Sequence, residues 1–101
     1  MKHAVILCHP RGRAFTRLTA ETYVETVRAR GHEVLVRDLY AMNFDPRLHA
    51  DELPNAAGAT PRPEILIERT MLKDADVSAF FYPIRFGSPP AMLKGYLERI
   101  I

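Results

Sequence analysis

Ala4-Val-Ile-Leu-Cys8 is a short, unbroken apolar run with β-branched residues, and it ends abruptly at His9-Pro10-Arg11-Gly12-Arg13, where Pro and Gly forbid continued strand or helix. Such a run reads as a buried central strand, and a strand buried on both faces needs helices on both sides of its sheet. The next segment supplies the first of them. Between Phe15 and Arg30 the apolar residues Ala20, Tyr23, Val24 and Val27 fall at helical spacing, charged residues occupy the other faces, and Gly31 provides the stop. His32 to Leu39, with Val34-Leu35-Val36 at its centre, reads as a second strand. Strand, helix and strand make a βαβ unit, which implies a right-handed crossover and a parallel pair.

Ala41 to Pro63 carries four prolines, Asn55 and Gly58, holds no period of 3.6 or 2, and is expected to be a long loop. Glu64 to Asp74 is expected to be a helix, with Ile67 and Met71 four apart and Ile65 and Leu72 seven apart. Asp76 to Tyr82 reads as a third strand, apolar on both faces. After a turn from Pro83 to Pro90, Ser88 is the expected N-cap and Pro89 the first helical residue of a helix whose stripe is Met92, Leu93, Tyr96, Leu97 and Ile100. That stripe reads first as core.

With 101 residues, 48% of them hydrophobic and 26% charged, the chain has room for one domain, residues 1–101. Lys and Arg number 14 against 12 acidic residues, a net charge of +2, and the signs are interspersed; no basic run marks a nucleic-acid or membrane surface. The single cysteine, Cys8, excludes an internal disulfide and a multi-cysteine zinc site and fits a reducing cytoplasm. The apolar run Ala4 to Cys8 is too short for a signal or spanning segment, so no membrane insertion and no leader are expected.

In open parallel sheets, ligands bind outside the carboxyl ends of the strands, where strand order reverses. The loops in question are His9 to Phe15 and Pro83 to Pro90. A dinucleotide-binding Rossmann site is disfavoured because the first loop has one glycine where G-x-G-x-x-G is needed, and no P-loop sequence occurs. A phosphoacceptor receiver domain needs strand-end acids, whereas the third strand ends in Tyr82-Pro83. Asp38 stands where such folds keep a ribose-binding acid, but a lone strand-end aspartate also serves as a turn or cap residue.

A flavodoxin-like order of 2-1-3 remains, and the residues themselves resemble a family. His9-Pro10 followed by Phe15, then Arg37-Asp38-Leu39-Tyr40-Ala41-Met42-Asn43-Phe44-Asp45-Pro46, then Tyr82-Pro83-Ile84-Arg85-Phe86-Gly87-Ser88-Pro89-Pro90-Ala91-Met92-Leu93-Lys94-Gly95-Tyr96 resemble the NAD(P)H:quinone oxidoreductases, the DT-diaphorase-like flavoproteins. The resemblance spans essentially the whole chain. It implies an α/β, flavodoxin-like three-layer sandwich with a parallel sheet, lacking the last two strands of the family.

The resemblance also implies a site. In that family the loop after the first strand holds the phosphate part of FAD, or alternatively FMN. The matching residues are His9, Phe15 and Thr16, with Arg11 and Arg13 adding charge, while Ala14 stands where the family has a serine hydroxyl. The second loop would be Pro83, Ile84, Arg85 and Phe86, flanking the flavin ring, with Phe86-Gly87 where relatives have Trp or paired aromatics and Arg85 stabilising charge on reduced flavin. A purely structural alternative makes His9 a turn residue, Phe15 a core plug and Phe86 a turn aromatic. Tyr40 and Met42 to Pro46 read as anchors of the long loop, and Lys94 as a solvated helix lysine.

The implied reaction passes a hydride from NAD(P)H through flavin to a quinone, with no side chain as nucleophile, no metal, and a homodimer as the family's assembly. The family continues with two more strands that carry further flavin, nicotinamide and quinone contacts. Without them the third strand becomes an edge, with Phe80 and Phe81 exposed or half covered. A second expectation, from a different class, is therefore a non-catalytic flavodoxin-like module that serves a partner, as ancillary subunits of potassium efflux systems do.

Overall fold

Strand β1 (Lys2–Leu7) is the middle of a three-stranded parallel sheet, and every side chain from His3 to Leu7 is buried. The computed structural model describes residues 1–10, 14–53, 62–84 and 87–101. On one side β1 pairs with β2 (Glu33–Asp38), from Lys2 opposite Glu33 to Leu7 opposite Asp38; on the other it pairs with β3 (Val77–Phe81), from His3 opposite Val77 to Leu7 opposite Phe81. The expected order 2-1-3 is the observed one.

Alternate residues of β1 feed two cores, as the period of two requires. Ala4, Ile6 and Cys8 pack with Leu39, Ile65, Leu93, Tyr96 and Ile100, beneath α2 (Pro63–Leu72) and α3 (Ala91–Ile100). Val5 and Leu7 pack with Ala20, Tyr23, Val24 and Phe81, beneath α1 (Phe15–Ala29). Sheet between helices is the three-layer arrangement anticipated, and none of the described helices is long and apolar enough to cross a membrane. Helix α1 ends as its sequence predicts: Gly31 takes a φ of +83°, a conformation favourable only for glycine, and His32 donates back to the Val27 carbonyl.

Three expectations are corrected. Ser88 is not the cap of α3: Pro90 is, with an extended ψ of 154°, and the helix begins at Ala91. The physical reason is the Pro89-Pro90 pair, since a residue preceding proline is driven out of the helical region, so Pro89 cannot be the first helical residue. Ser88 Oγ instead accepts a hydrogen bond from the ammonium of Lys94. In α2 the buried face carries Ile65 and Glu68, and Ile67 is 62% exposed, so the Ile67–Met71 row is not its core row. Glu68 turns inward because Arg37 grips its carboxylate with two nitrogens, at 2.6 and 2.8 Å, and the Tyr96 hydroxyl donates to it at 2.6 Å. Leu97 of the expected α3 stripe is partly exposed, while Arg99 is buried.

The long loop is more ordered than its composition suggests. Phe44 lies edge-on to Tyr96, and a 3₁₀ turn spans Ala50–Glu52. Buried Arg99 holds both parts, donating to the Asp45 carbonyl at 2.7 Å and to the Glu52 carboxylate at 3.0 to 3.2 Å.

Candidate functional site

The carboxyl ends of the three strands are laced together by backbone. Cys8 N–H donates to the Phe81 carbonyl at 3.0 Å, and Leu39 N–H to the Leu7 carbonyl at 2.9 Å. Both loops singled out from sequence therefore leave from adjacent strand ends, after β1 and after β3. His9, the second residue beyond β1, is buried.

Arg17, in the first turn of α1, braces the mouth. Its guanidinium donates to the His9 carbonyl at 2.7 Å and to both oxygens of Asp38, at 2.5 and 3.1 Å. Asp38 also accepts the Ala41 amide, so both its oxygens are engaged and it acts as a turn and bracing residue. Burial opposes its ionisation, but the hydrogen bonds from Arg17 and Ala41 and the charge of Arg17 outweigh burial and hold the carboxyl below its ordinary range. Burial pushes the neighbouring Cys8 thiol up, which disfavours a thiolate at this position.

Helix α1 opens toward the same mouth. Its cap, Ala14, offers no side-chain hydrogen bond, and no acidic residue lies in its first turn. The first-turn N–H groups, which have no partner within a helix, thus keep their positive end undiminished by side chains, a setting suited to an anionic group such as phosphate.

Beside this helix end is an open hollow of about 310 Å³ lined by Phe15, Thr16 and Thr19 from α1 and by Phe80, Phe81, Tyr82 and Ile84 from β3 and its exit. Of the expected site residues, Phe15, Thr16 and Ile84 meet in this one hollow. Phe15 is 83% exposed and Ile84 72%, so Phe15 is not a core plug. Pro83 is half-buried at the strand exit and outside the hollow. Arg11, Arg13, Arg85 and Phe86 lie outside the described residues. Among the described residues no group of three or more His, Cys, Asp or Glu could hold a metal.

Aromatic faces, the hydroxyl-bearing residues Thr16, Thr19 and Tyr82 and an uncapped helix end form a set that fits a flat, anionic cofactor such as a flavin nucleotide better than a metal or a bare sugar. Sequence reasoning missed Arg17, Thr19 and Tyr82. Arg17 could have been found by asking which cation serves Asp38, since a strand-end acid and the helix opening after the neighbouring strand face each other in a βαβ unit.

A family model for the flavodoxin-like fold matches residues 1–101. The chain belongs to that family. Among curated proteins it is 37% identical over 102 aligned residues to an uncharacterized NAD(P)H oxidoreductase of Haemophilus influenzae, covering 100% of this chain and 50% of the relative. It is 30% identical to NAD(P)H dehydrogenase (quinone) 1 of Cavia porcellus, covering 95% of this chain and 41% of the relative. Among solved structures, the NAD(P)H:quinone oxidoreductase from Methanothermobacter marburgensis superposes with a TM-score of 0.89 at 32% identity, covering 99% of this chain and 52% of that one. The flavodoxin-like chain thus spans about half the length of the relatives it matches.

Proposed function

We propose that these 101 residues form the flavin-cradling half of an NAD(P)H:quinone oxidoreductase that binds FAD, with FMN as the alternative. The observation that carries the reading is the meeting of an uncapped α1 end with the Phe15, Thr16 and Ile84 hollow at adjacent strand ends, on a fold that superposes closely on a quinone oxidoreductase. A bound flavin would supply the redox chemistry, the two-electron reduction of a quinone to hydroquinone at the expense of NAD(P)H and a proton.

The chain's own residues bind and orient. The first-turn amides of α1 and the Thr16 hydroxyl meet the phosphate end, with Arg11 and Arg13 adding charge. His9 shapes the loop mouth, which Arg17 braces. In this reading Phe15 belongs with the phosphate loop, while Pro83, Ile84, Arg85 and Phe86 flank the ring end, with the Arg85 charge available to a reduced flavin. The working assembly in this reading is a cytoplasmic homodimer.

Titrating the purified chain with FAD and with FMN, followed by NAD(P)H and a soluble quinone, tests the reading. Uptake of either flavin, seen as a shift of its absorbance bands and quenched fluorescence, is expected; Thr16→Ala weakens it about three- to tenfold, the worth of one hydrogen bond. A chain that takes up neither flavin overturns the proposal. The half-length match favours one other reading, a non-catalytic module serving a partner, and a flavin-free chain of unchanged fold would support it.

A further inference from the structure

At the end of the sheet opposite the flavin hollow, the amino ends of β1 and β2 bring two histidines together. His3 is opposite Val34 in the β1–β2 register, and His32 stands two residues before Val34. Alternation of side chains along extended chain therefore turns both rings toward the face that α1 covers. The stop of α1 fixes the second ring: Gly31 turns the chain with its positive φ, and His32 N–H donates to the Val27 carbonyl at 3.1 Å. The two ring centres are 5.2 Å apart, with their planes tilted by 54° and not stacked.

His3 is only 8% exposed, and one of its nitrogens is engaged: Nδ1 lies 2.6 Å from the Tyr23 hydroxyl. That contact orients the ring and leaves Nε2 as the nitrogen available to a ligand. The His32 ring makes no hydrogen bond among the described residues. Both rings line an open hollow of about 370 Å³, whose walls include Met1, Tyr23, Val27 and Arg30 but no carboxylate among the described residues.

Imidazole is largely uncharged at neutral pH, so two such rings offer nitrogen lone pairs rather than positive charge. Two imidazoles that hold one tetrahedral ion through nitrogens at about 2.0–2.1 Å have ring centres about 5 Å apart, the spacing of His3 and His32. A metal-bound imidazole characteristically gives its other nitrogen to an outer partner that fixes its tautomer, and Tyr23 stands in that place for His3. Nitrogen donors without a carboxylate suit zinc and its neighbours in the first transition row, whereas magnesium and calcium require oxygen.

We propose that His3 and His32 form an open, exchangeable site for one borderline-soft divalent ion of the zinc type. The ligands are His3 Nε2 and one ring nitrogen of His32, with water in the remaining positions. With the ion on Nε2, the Nδ1 of His3 carries the proton and donates to the Tyr23 oxygen. Two protein ligands are fewer than a structural zinc site uses, so the ion exchanges with solution. The site stands independently of the flavin reading, because none of the residues given a flavin contact takes part in it.

The untagged chain is titrated with zinc sulfate by calorimetry and with cobalt(II), whose visible spectrum reports nitrogen ligation. One ion per chain is expected, with a melting temperature several degrees higher at saturating zinc. His32 is half-buried and makes no side-chain hydrogen bond among the described residues, so His32→Gln leaves the metal-free melt within about 3 °C and weakens uptake at least about tenfold. Tyr23→Phe keeps the ring that packs on Phe81, removes the outer partner of His3, and weakens zinc about tenfold. His49→Gln, at a histidine that pairs with Asp45 away from the hollow, leaves the affinity unchanged. Absence of uptake at about millimolar zinc overturns the proposal. Uptake undiminished by His32→Gln, or lost in His49→Gln, overturns it as well, by putting the ion elsewhere. So does a hollow that takes inorganic phosphate beside Arg30 and no zinc.

Discussion

At Gly95 a single missing methyl decides how α3 meets the rest of the chain. A Cβ built there would collide with the backbone oxygen, Cα and Cβ of Pro46, so the long loop can lie on the helix only because the helix has glycine at that point. Gly95→Ala gains up to about 1 kcal/mol of helix propensity, yet it forces the Pro46 backbone away, at a cost of about 3 kcal/mol for overpacking. The net expectation is a loss of about 2 kcal/mol, read from urea midpoints. Asp38 offers a pH-dependent counterpart. Its folded-state pKa is depressed, so the stability it contributes is fully present above its unfolded value of about 3.9 and is lost as pH falls through the folded value. Asp38→Asn is expected to melt several degrees below the parent at pH 7, with the gap narrowing as pH falls below about 4, measured by thermal melts across that range. Both residues stood in plain view in the sequence as parts of recognisable segments. Their jobs did not, because Gly95 answers to Pro46 and Asp38 to Arg17, and no local period encodes such partners.

Helices and strands were legible where one local pattern suffices. The run Ala4 to Cys8, the stripe through Ala20, Val24 and Val27 and the stop at Gly31 each state their element within a few residues, and the structure follows them to within two residues. The long loop was legible only as a loop. What orders it is a buried charge, and a reading that looks for apolar residues at helical spacing passes over Arg99 and Glu68 as solvent-facing. The Asp38 to Phe44 segment is a built corner: Met42, Asn43 and Phe44 N–H groups return to Asp38, Tyr40 and Leu39 carbonyls, and Asn43 takes the left-handed conformation that its residue type tolerates. Beyond that corner, Arg99 clamps Asp45 and Glu52, with its side chain 1% exposed and that of Glu52 5%. Arg99→Met removes the cation and leaves the Glu52 carboxylate buried with the His49 amide at 3.1 Å and, as a described cation, the more distant Arg62 Nε at 3.7 Å. Such a broken pair costs about 3 to 5 kcal/mol. Limited proteolysis is expected to open new cuts between residues 41 and 53, and adding Glu52→Gln to Arg99→Met should recover part of the loss by removing the stranded charge. If the double variant is no more stable than the single one, charge burial is not what orders the loop.

For the molecule as a whole, the sheet is the limiting element. Among the described residues three strands with β1 at the centre give a real core, but they leave β3 with one unpaired edge and half-covered aromatics at Phe80 and Phe81. Such an edge is a template for unwanted pairing between copies of the chain. Its only polar residue, Ser78, is exposed and opposite Ala4 of β1. A lysine there would place a charge beside the free edge without entering either core, so stacking of edges would bring like charges together while the folded unit is left nearly untouched. Ser78→Lys is therefore expected to raise the concentration at which the chain begins to aggregate several-fold, followed by light scattering over hours at 37 °C, and to shift the melting temperature by no more than about 3 °C, as surface substitutions do. An aggregation threshold left unchanged by the lysine would mean that self-association begins elsewhere than at the β3 edge.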